Sequence, residues 1–341
     1  DEPTVPENGG HGEGATEHVT KSVRNQEYYS LGVSYDITKG HLDLDATRYP
    51  VINLGSFFED YDENERYIRN PGTRGDDAFY AGANAVSFSQ DIIKKWNTDN
   101  NVEGTLIIEE ILSLGGHINY ANESGSKNKQ TTKYSYARAE LIKRNKKVEI
   151  RATPEELIPY FCPLFLDHVN TYTPERLVRE YGTHVLLGVT MGGRMQMDYR
   201  SQINETNDST TKKNVVEAGI NMTLFGVGLE MVGGYTHDRA SETNKKNGYW
   251  ESKITYLGGE GSGTSVEMTA DGGYSKQTNN FHLWQSTVND SNSTVIEIDW
   301  DLAYPIYEFI TDPAKKQQVK AAVQQYISDN NMELIEVAPL Y

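Results

Sequence analysis

Apolar and polar residues alternate along residues 215–235, which read VVEAGINMTLFGVGLEMVGGY. Apolar side chains occupy every second position up to residue 224, and the frame then shifts by one position. The alternating apolar residues are Val216, Ala218, Ile220, Met222, Leu224, Phe225, Val227, Leu229 and Met231. This pattern predicts two short strands, each with one apolar and one polar face.

The same stretch also fits a helix, because five of its apolar residues recur at spacings of three and four. Five glycines weaken that helix, at about 1 kcal/mol each relative to alanine. A strand that crosses a bilayer needs ~9–11 residues, and each arm has about that length. Alternation alone is typical of an ordinary buried hairpin or amphipathic helix. The sharper hypothesis is a segment that is helical in one state and a membrane hairpin in another.

A second, weaker alternation lies in residues 102–120. Its apolar members are Leu112, Leu114, Ile118 and Tyr120. The preceding residues LIIEEI do not alternate, and Glu109 and Glu110 are adjacent. One of these two carboxylates would face lipid if that part crossed a membrane. With the apolar residues of 215–235, these four complete the candidate membrane-inserting set.

Patterns in the rest of the chain predict both strands and helices. Residues 134–150 form a long candidate strand, residues 194–200 and 248–257 alternate like strands, and Asn84–Phe88 is a shorter candidate. Residues 41–83 are predicted to be irregular. Thr173–Pro174–Glu175 starts a helix that stops at Gly182, and Asp312–Pro313 starts another. The second helix has an apolar face made of Val319, Ala322, Val323, Tyr326 and Ile327.

Composition narrows the class of protein. The formal net charge is −17, which disfavours nucleic-acid binding and adsorption to anionic lipid. Twenty-two tyrosines suit a large β component. The single cysteine, Cys162, excludes an intrachain disulfide, and no apolar run is long enough for a transmembrane helix.

Motifs of enzymatic chemistry are not found. The sequence has no HExxH, GxSxG, P-loop or CxxC motif. We therefore predict no catalytic residues, no cofactor and no metal ligands. A basic run follows at Lys143, Arg144, Lys146 and Lys147, and it has two interpretations. One is a contact surface for the acidic edge of a neighbouring subunit or for an anionic glycan. The alternative is that it is the solvated end of a strand.

The two ends of the chain differ from the middle. Residues 1–27 begin as a polar, acidic stretch rich in Pro and Gly, which predicts a disordered tether. Such a stretch often follows the lipidated cysteine of a bacterial surface lipoprotein, so we expect a secreted or surface-anchored protein. Residues 331–341 are interpreted as a C-terminal tail, which leaves residues 28–330 as one domain.

Residues 181–193, YGTHVLLGVTMGG, resemble the signature of the membrane attack complex/perforin (MACPF) family. The matching residues are Tyr181, Gly182, Thr183, His184, Gly192 and Gly193. Val185 departs from the family pattern, which usually has an aromatic residue there. LGVSYD at 31–36 resembles the family's opening segment, and Trp284 with residues 298–327 resembles its ending. From the residues alone, His184 is interpreted as a hydrogen-bonded structural residue rather than a zinc ligand or base.

The resemblance implies an α+β fold, with a bent, twisted four-stranded antiparallel sheet flanked by two helical clusters. The strands map to about 84–90, 134–150, 190–201 and 248–258, and the clusters to about 91–133 and 202–247. Both alternating stretches fall within these clusters.

The resemblance also implies a function. Subunits would assemble as a homo-oligomeric ring on a target membrane, and the clusters would insert as β-hairpins. An antimicrobial toxin that kills competing bacteria is the expected type, with an outer-membrane protein or lipopolysaccharide as receptor. A non-lytic surface adhesion protein on the same fold is the alternative.

Overall fold

The computed structural model describes residues 30–39, 46–61, 65–72, 75–100, 129–203, 206–260, 265–270, 281–330 and 333–335. The helices are α1 (Leu54–Asp60), α2 (Ala85–Asn100), α3 (Pro163–Thr171), α4 (Pro174–Tyr181), α5 (Ser209–Gly226), α6 (His237–Asn244), α7 (Phe281–Thr287) and α8 (Pro313–Asp329). The strands are β1 (Val33–Tyr35), β2 (Thr47–Pro50), β3 (Tyr67–Pro71), β4 (Gly75–Gly82), β5 (Lys129–Thr131), β6 (Tyr134–Ile150), β7 (His184–Leu186), β8 (Gly188–Gln202), β9 (Trp250–Leu257), β10 (Ser265–Thr269), β11 (Thr294–Ile298), β12 (Ala303–Pro305) and β13 (Glu333–Ile335).

Two long antiparallel strands, β6 and β8, form the spine of the main sheet. Their pairing runs from Tyr134 opposite Gln202 to Glu149 opposite Gly188. Seven strands belong to this sheet, and all of its strand pairs are antiparallel. Both spine strands alternate small or apolar residues with charged ones, which suits a sheet with two different faces.

The partners of the spine change halfway along it. We call the part of the spine that pairs with β4 and β9 the upper half, to which β10 belongs through its pairing with β9. The part that pairs with β3 and β11 is the lower half. In β6, residues 136–143 pair with β4 and residues 146–150 pair with β3. Within the described strands, only β6 and β8 belong to both halves, so these two carry the connection between them.

A smaller sheet, ordered β12-β7-β1-β2, covers the lower half. The largest core cluster lies here and includes buried side chains from α1, α3, α4 and α8. Helix α8 begins at the cap Asp312, whose side chain accepts the Lys315 N–H at 2.8 Å. Its buried residues are Val319, Ala322, Val323 and Ile327, four of the five predicted for its apolar face.

Helices cover both faces of the upper half. On one face, Phe88 and Ile92 of α2 join a buried cluster with Tyr80, Tyr134 and Tyr136. On the other face, α5 joins a second cluster with apolar residues of β4, β6, β8 and β9. This arrangement confirms the predicted α+β class, with an antiparallel sheet flanked by helices.

Three of the four predicted strands are confirmed, since β6, β8 and β9 lie at 134–150, 188–202 and 250–257. The strand predicted at about 84–90 is wrong. Asn84 caps α2, because its side chain accepts the Ser87 N–H at 2.9 Å and the Ser87 hydroxyl accepts the Asn84 N–H at 3.1 Å. The fourth central strand is β4, which lies within residues 41–83. That stretch was predicted to be irregular, and it also holds β2, α1 and β3.

Candidate functional site

The alternating stretch 215–235 is a helix in its first half. Asp208 caps α5 by accepting the Thr211 N–H at 2.7 Å, and the helix ends at Gly226. Val216, Ala218, Ile220 and Leu224 are buried, Met222 is half-buried and Phe225 is 53% exposed. Beyond the helix, Leu229 is buried, and Val227 and Met231 are half-buried. The chain therefore adopts the helical alternative of the two patterns.

A close approach between α5 and β8 holds the helix against the sheet. A Cβ atom on Gly219 would lie 2.3 Å from the Tyr199 hydroxyl, so any larger residue there would force the tyrosine or the helix to shift. Tyr199 is 1% exposed, and its ring stacks on Trp250 with centroids 5.6 Å apart. Burial raises the pKa of Tyr199 well above its usual range. The phenol is therefore neutral and acts as part of the packing surface under α5.

The opposite face of the upper half carries paired charges. Arg138 donates to Asp198 at 2.6 Å, and both are buried. Arg194 donates to Glu140 at 3.1 Å, and both are 2% exposed. Removing one partner of such a buried pair costs about 3–5 kcal/mol, because the other charge is left unpaired. The upper half thus has one apolar face, which α5 covers, and an opposite face that combines the apolar cluster under α2 with buried ion pairs.

Gly192 and Gly193 lie where the two halves of the main sheet meet. A Cβ atom on Gly192 would come 2.0 Å from the Lys143 carbonyl oxygen, and one on Gly193 would come 2.5 Å from Val288 Cγ2. The β6–β8 register shifts beside them, between Arg144 and Lys146. Such a bulge bends the strand that carries it and increases its twist. The lack of side chains at Gly192 and Gly193 therefore lets neighbouring groups, including the β6 backbone, approach β8 closely at this bend.

The basic run lies inside β6 rather than at a strand end, and three of its four side chains form ion pairs within the chain. Arg144 donates to Glu297 of β11 at 2.6 and 2.8 Å and to Asp76 of β4 at 3.3 Å. Its hydrogen bond to Glu297 raises the pKa of Arg144 further above its ordinary value. Lys147 pairs with Asp299 at 2.6 Å. Arg144 thus links a strand of the upper half to a strand of the lower half.

The other part of the signature, Tyr181 to His184, lies where α4 leads into the smaller sheet. Tyr181 ends α4, and its hydroxyl hydrogen-bonds His168 Nδ1 at 2.9 Å. Gly182 has a φ of 81°, which favours glycine. The Thr183 hydroxyl donates to the Tyr35 carbonyl at 3.3 Å and accepts the Ile37 N–H at 3.1 Å. These residues therefore connect the smaller sheet to the opening segment, residues 31–36. We call this set of contacts the joint.

His184 is fully buried in this joint. Its Nδ1 shares a hydrogen bond of 2.9 Å with the Thr183 hydroxyl. Burial lowers the pKa of His184 to about 4, although the nearby Asp36 carboxylate acts in the opposite direction. The imidazole is neutral at pH 7, and β1 and β12 flank its strand on either side. This setting fits a structural role.

The predicted site residues occupy three places. Tyr181–His184 lie at the joint in the smaller sheet, Gly192–Gly193 at the bend, and the residues of α5 and its extension on the upper half. Leu112, Leu114, Ile118 and Tyr120 lie outside the described residues. In the part of the chain that the structure describes, no cluster of His, Cys, Asp and Glu could hold a metal ion. None of the described helices is both long and apolar enough to span a membrane.

Two features of the site were missed from the sequence. The charged face of β8 is visible in RMQMDYR, whose polar members alternate with Met195, Met197 and Tyr199, but its burial is not. The contacts of Arg144 with Asp76 and Glu297 join residues that are 68 and 153 positions apart. No local pattern could have shown them.

The similarity between this chain and known proteins concerns one domain. The family model of the MAC/Perforin domain matches residues 31–335. A MAC/Perforin-domain protein from Bacteroides thetaiotaomicron, named as a candidate cell-invasion protein, is similar over 88% of this chain, with 17% identity and a TM-score of 0.65. GNIP1Aa from Chromobacterium piscinae is similar over 89%, with 14% identity and a TM-score of 0.61.

The chain spans 60% of the first structure and 56% of the second. At these identities the likeness concerns the fold alone. No curated protein has a significant sequence match to the chain.

Proposed function

The chain belongs to the MAC/Perforin family, and on that premise we propose that it forms pores by inserting residues 202–247 into a target membrane as a β-hairpin. This proposal rests on a conflict between the sequence pattern of α5 and its conformation. Its sequence alternates as a strand does, yet it is a helix that joins two neighbouring antiparallel strands, β8 and β9. A segment between paired strands can extend that pair without any change of topology.

Physical chemistry requires that several subunits act together. A single hairpin in lipid leaves backbone N–H and C=O groups unpaired at both edges, which costs several kcal/mol per group. A closed ring of hairpins pairs every edge. We therefore propose a homo-oligomeric ring on the membrane as the active form.

The proposed target is a competing bacterium, with an outer-membrane protein or lipopolysaccharide as receptor. The net charge of −17 supports a specific receptor over direct adsorption to anionic lipid. In this proposal the protein is secreted or held at the surface of its own cell as a lipoprotein before assembly. The antimicrobial role follows from this choice of target.

Tethering the segment to the sheet tests the proposal. Asp77 of β4 and Glu230, which follows α5, are exposed and line the same cavity of about 450 Å³. The variant Asp77→Cys/Glu230→Cys, made with Cys162→Ala, can be bridged by a short bifunctional methanethiosulfonate. The measurement is dye release from vesicles prepared with membranes of candidate target bacteria, with rings counted by electron microscopy.

We expect the bridged protein to bind these vesicles without releasing dye, and a reductant to restore release. The unbridged double variant and each reagent-treated single variant serve as matched controls and should release dye. Binding of the wild type without release or rings, on every membrane that it binds, would leave the non-lytic adhesion protein as the function. Release by the bridged form would show that residues 202–247 stay in place during pore formation.

A further inference from the structure

Helix α5 does not fill all the space between itself and the sheet. A cavity of about 250 Å³ lies there, between the second half of α5 and the side chains of β8, β9 and β10. It shares no described lining residue with the larger cavity beside Asp77 and Glu230. Protein interiors are normally close-packed, so a cavity of this size under a helix needs an explanation.

The roof of the cavity is one side of α5. Gly219, Met222, Thr223 and Gly226 line it, and their spacings of three and four residues place them along one face of the helix. Two of these four residues have no side chain. A Cβ atom built on Gly226 would meet nothing within 4 Å, so open space lies beside this glycine. The roof therefore contributes little side-chain volume to the cavity.

The floor of the cavity is a row of side chains across three strands. Tyr199 of β8 lies opposite Ser252 of β9, which lies opposite Met268 of β10. Residues directly opposite each other in a sheet share a face, so the small Ser252 separates two large side chains. Trp250 also lines the cavity, and its ring stacks on that of Tyr199. Small residues thus lie at the centre of the floor and in the roof, with aromatic rings beside them.

The lining chemistry favours a neutral aromatic ligand. None of the described lining residues is charged, so a charged ligand would lose its hydration without gaining a partner. The rings of Tyr199 and Trp250 and the sulfur atoms of Met222 and Met268 suit contacts with another ring. An apolar cavity of about 150 Å³ can hold benzene. The larger cavity under α5 therefore has room for two fused rings.

One polar group of this site is unsatisfied. Tyr199 is almost fully buried, and its hydroxyl beside Gly219 forms no hydrogen bond within the part of the chain that the structure describes. The nearby Ser201 hydroxyl also lacks a partner there, so the two hydroxyls do not satisfy each other. Buried polar groups in folded proteins normally have a hydrogen-bond partner. A hydroxyl group on a ligand would supply one to Tyr199.

We propose that this cavity binds a small, neutral, aromatic molecule that carries a hydroxyl group, and that the bound molecule holds α5 against the sheet as a helix. Gly226 and Ala270 line the cavity and are exposed, which gives the ligand a way in. The binding site stands independently of pore formation. The consequence for membrane insertion rests on the proposed function, because α5 must leave the sheet to become a hairpin.

The cavity has walls from both α5 and the sheet, so it exists only while α5 is docked. A ligand that binds only one state of a protein favours that state by one plus the ratio of its concentration to Kd. At about 100 times Kd, the docked state of α5 is thus favoured about 100-fold. The ligand is therefore an inhibitor of insertion in this proposal.

Calorimetric titration of the purified protein tests binding with three compounds of similar size. The first is 1-naphthol, which has two fused rings and a hydroxyl group. Naphthalene lacks the hydroxyl group, and 1-naphthoate carries a negative charge instead. We expect one molecule of 1-naphthol to bind per chain, naphthalene to bind about three- to tenfold more weakly, and 1-naphthoate to show no measurable binding.

The substitution Tyr199→Phe removes the unsatisfied hydroxyl and keeps the ring. It should weaken the binding of 1-naphthol about three- to tenfold and leave the binding of naphthalene unchanged. Tyr67→Phe is the matched control. Tyr67 is buried in the lower half, and its hydroxyl also has no hydrogen-bond partner among the described residues. This control should leave both affinities unchanged.

The substitution Thr223→Phe places a ring in the cavity from the roof. It should abolish the binding of 1-naphthol, and a melting curve checks that the variant is folded. Thr210→Phe adds the same ring at an exposed position of α5 that is not among the described lining residues. This second control should bind 1-naphthol as the wild type does.

Hydrogen exchange in solution tests whether the ligand holds α5. Saturating 1-naphthol should slow amide exchange in α5 at least about tenfold and leave α8 unchanged. Dye release from vesicles with target-cell membranes then tests the consequence. The compound should inhibit release, and Tyr199→Phe should raise the concentration for half inhibition by the same factor as its Kd. An effect of 1-naphthol on the lipid itself would be equal in both proteins.

Absence of binding up to about 1 mM 1-naphthol, or binding that Tyr199→Phe or Thr223→Phe leaves unchanged, overturns the site. Binding without slower exchange in α5 overturns the stabilisation of the helix. Slower exchange with undiminished dye release overturns the inhibition of insertion. Failure of the ligand-free protein to release dye from any target membrane overturns the proposed function alone, because titration and exchange are measured in solution.

Discussion

Helices α5 and α8 are similar in length and in their caps, but their sequences differ in kind. They contain 18 and 17 residues, and each begins after an aspartate that accepts a backbone N–H. Helix α8 consists largely of Ala, Lys and Gln, which favour helices, and contains no glycine. Helix α5 contains Gly219, several β-branched residues and a strand-like alternation. Local sequence and fold agree in α8 and conflict in α5.

The conflict shows what keeps α5 helical. Its own sequence contributes little helix propensity, so the apolar face of the upper half and the close contact at Tyr199 must hold it. Tertiary packing overrides weak propensity in many helices. A helix held this way becomes free to change conformation when its packing partner is lost, whereas α8 has more helix propensity of its own.

The largest expected effect comes from a carboxylate placed under each helix. Ile220 and Val323 are both 0% exposed. We expect Val323→Asp and Ile220→Asp each to lower the free energy of unfolding by more than about 4 kcal/mol, since a buried unpaired charge is severely destabilising. Hydrogen exchange should then distinguish the two variants. Ile220→Asp should expose only residues 206–248, and Val323→Asp should expose the whole lower half. Equal exposure of the lower half in both variants would contradict the comparison.

Acid should weaken the region of α8 more than that of α5. The pKa of His184 is about 4 when folded, against 6.5 ordinarily, because of burial. Between these values the unfolded chain binds a proton that the folded chain does not. Stability is therefore full above pH 6.5 and falls as the pH drops toward 4, by roughly 3 kcal/mol at most. Urea unfolding at pH 7 and pH 5 measures this, and His184→Gln should flatten the dependence. An unchanged slope in that variant would assign the effect to other groups.

The smallest effect tests the contact under α5. Gly219→Ala should gain about 1 kcal/mol of helix propensity but lose about 1–3 kcal/mol through the clash with the Tyr199 hydroxyl. We expect a net loss of stability and faster amide exchange in α5. Asn214→Ala, at an exposed position of the same helix, is the matched control and should be neutral or slightly stabilising. A stabilised Gly219→Ala protein would mean that α5 is not held by this contact.

Local signals predicted the elements that depend on local physics. The bounds of β6, the caps Thr173 and Asp312, and the apolar face of α8 were all visible in the sequence. The strand predicted at 84–90 failed because Asn84 has a capping role that a short apolar run conceals. The Arg144 contacts and the buried charged face could not be predicted, since they depend on which distant strands become neighbours. The alternation of 215–235 was ambiguous because the segment fits both a helix and a strand.

The contact between the two ends of the segment that joins β8 and β9 has a kinetic consequence. Bringing together the ends of the segment between Gln202 and Tyr249 would cost roughly 3 kcal/mol of chain entropy in a free loop. In the folded subunit that entropy has already been lost, because the two ends are hydrogen-bonded to each other. A hairpin of the proposed kind that grew from this point would add one rung at a time to an existing ladder. It needs no separate nucleation step.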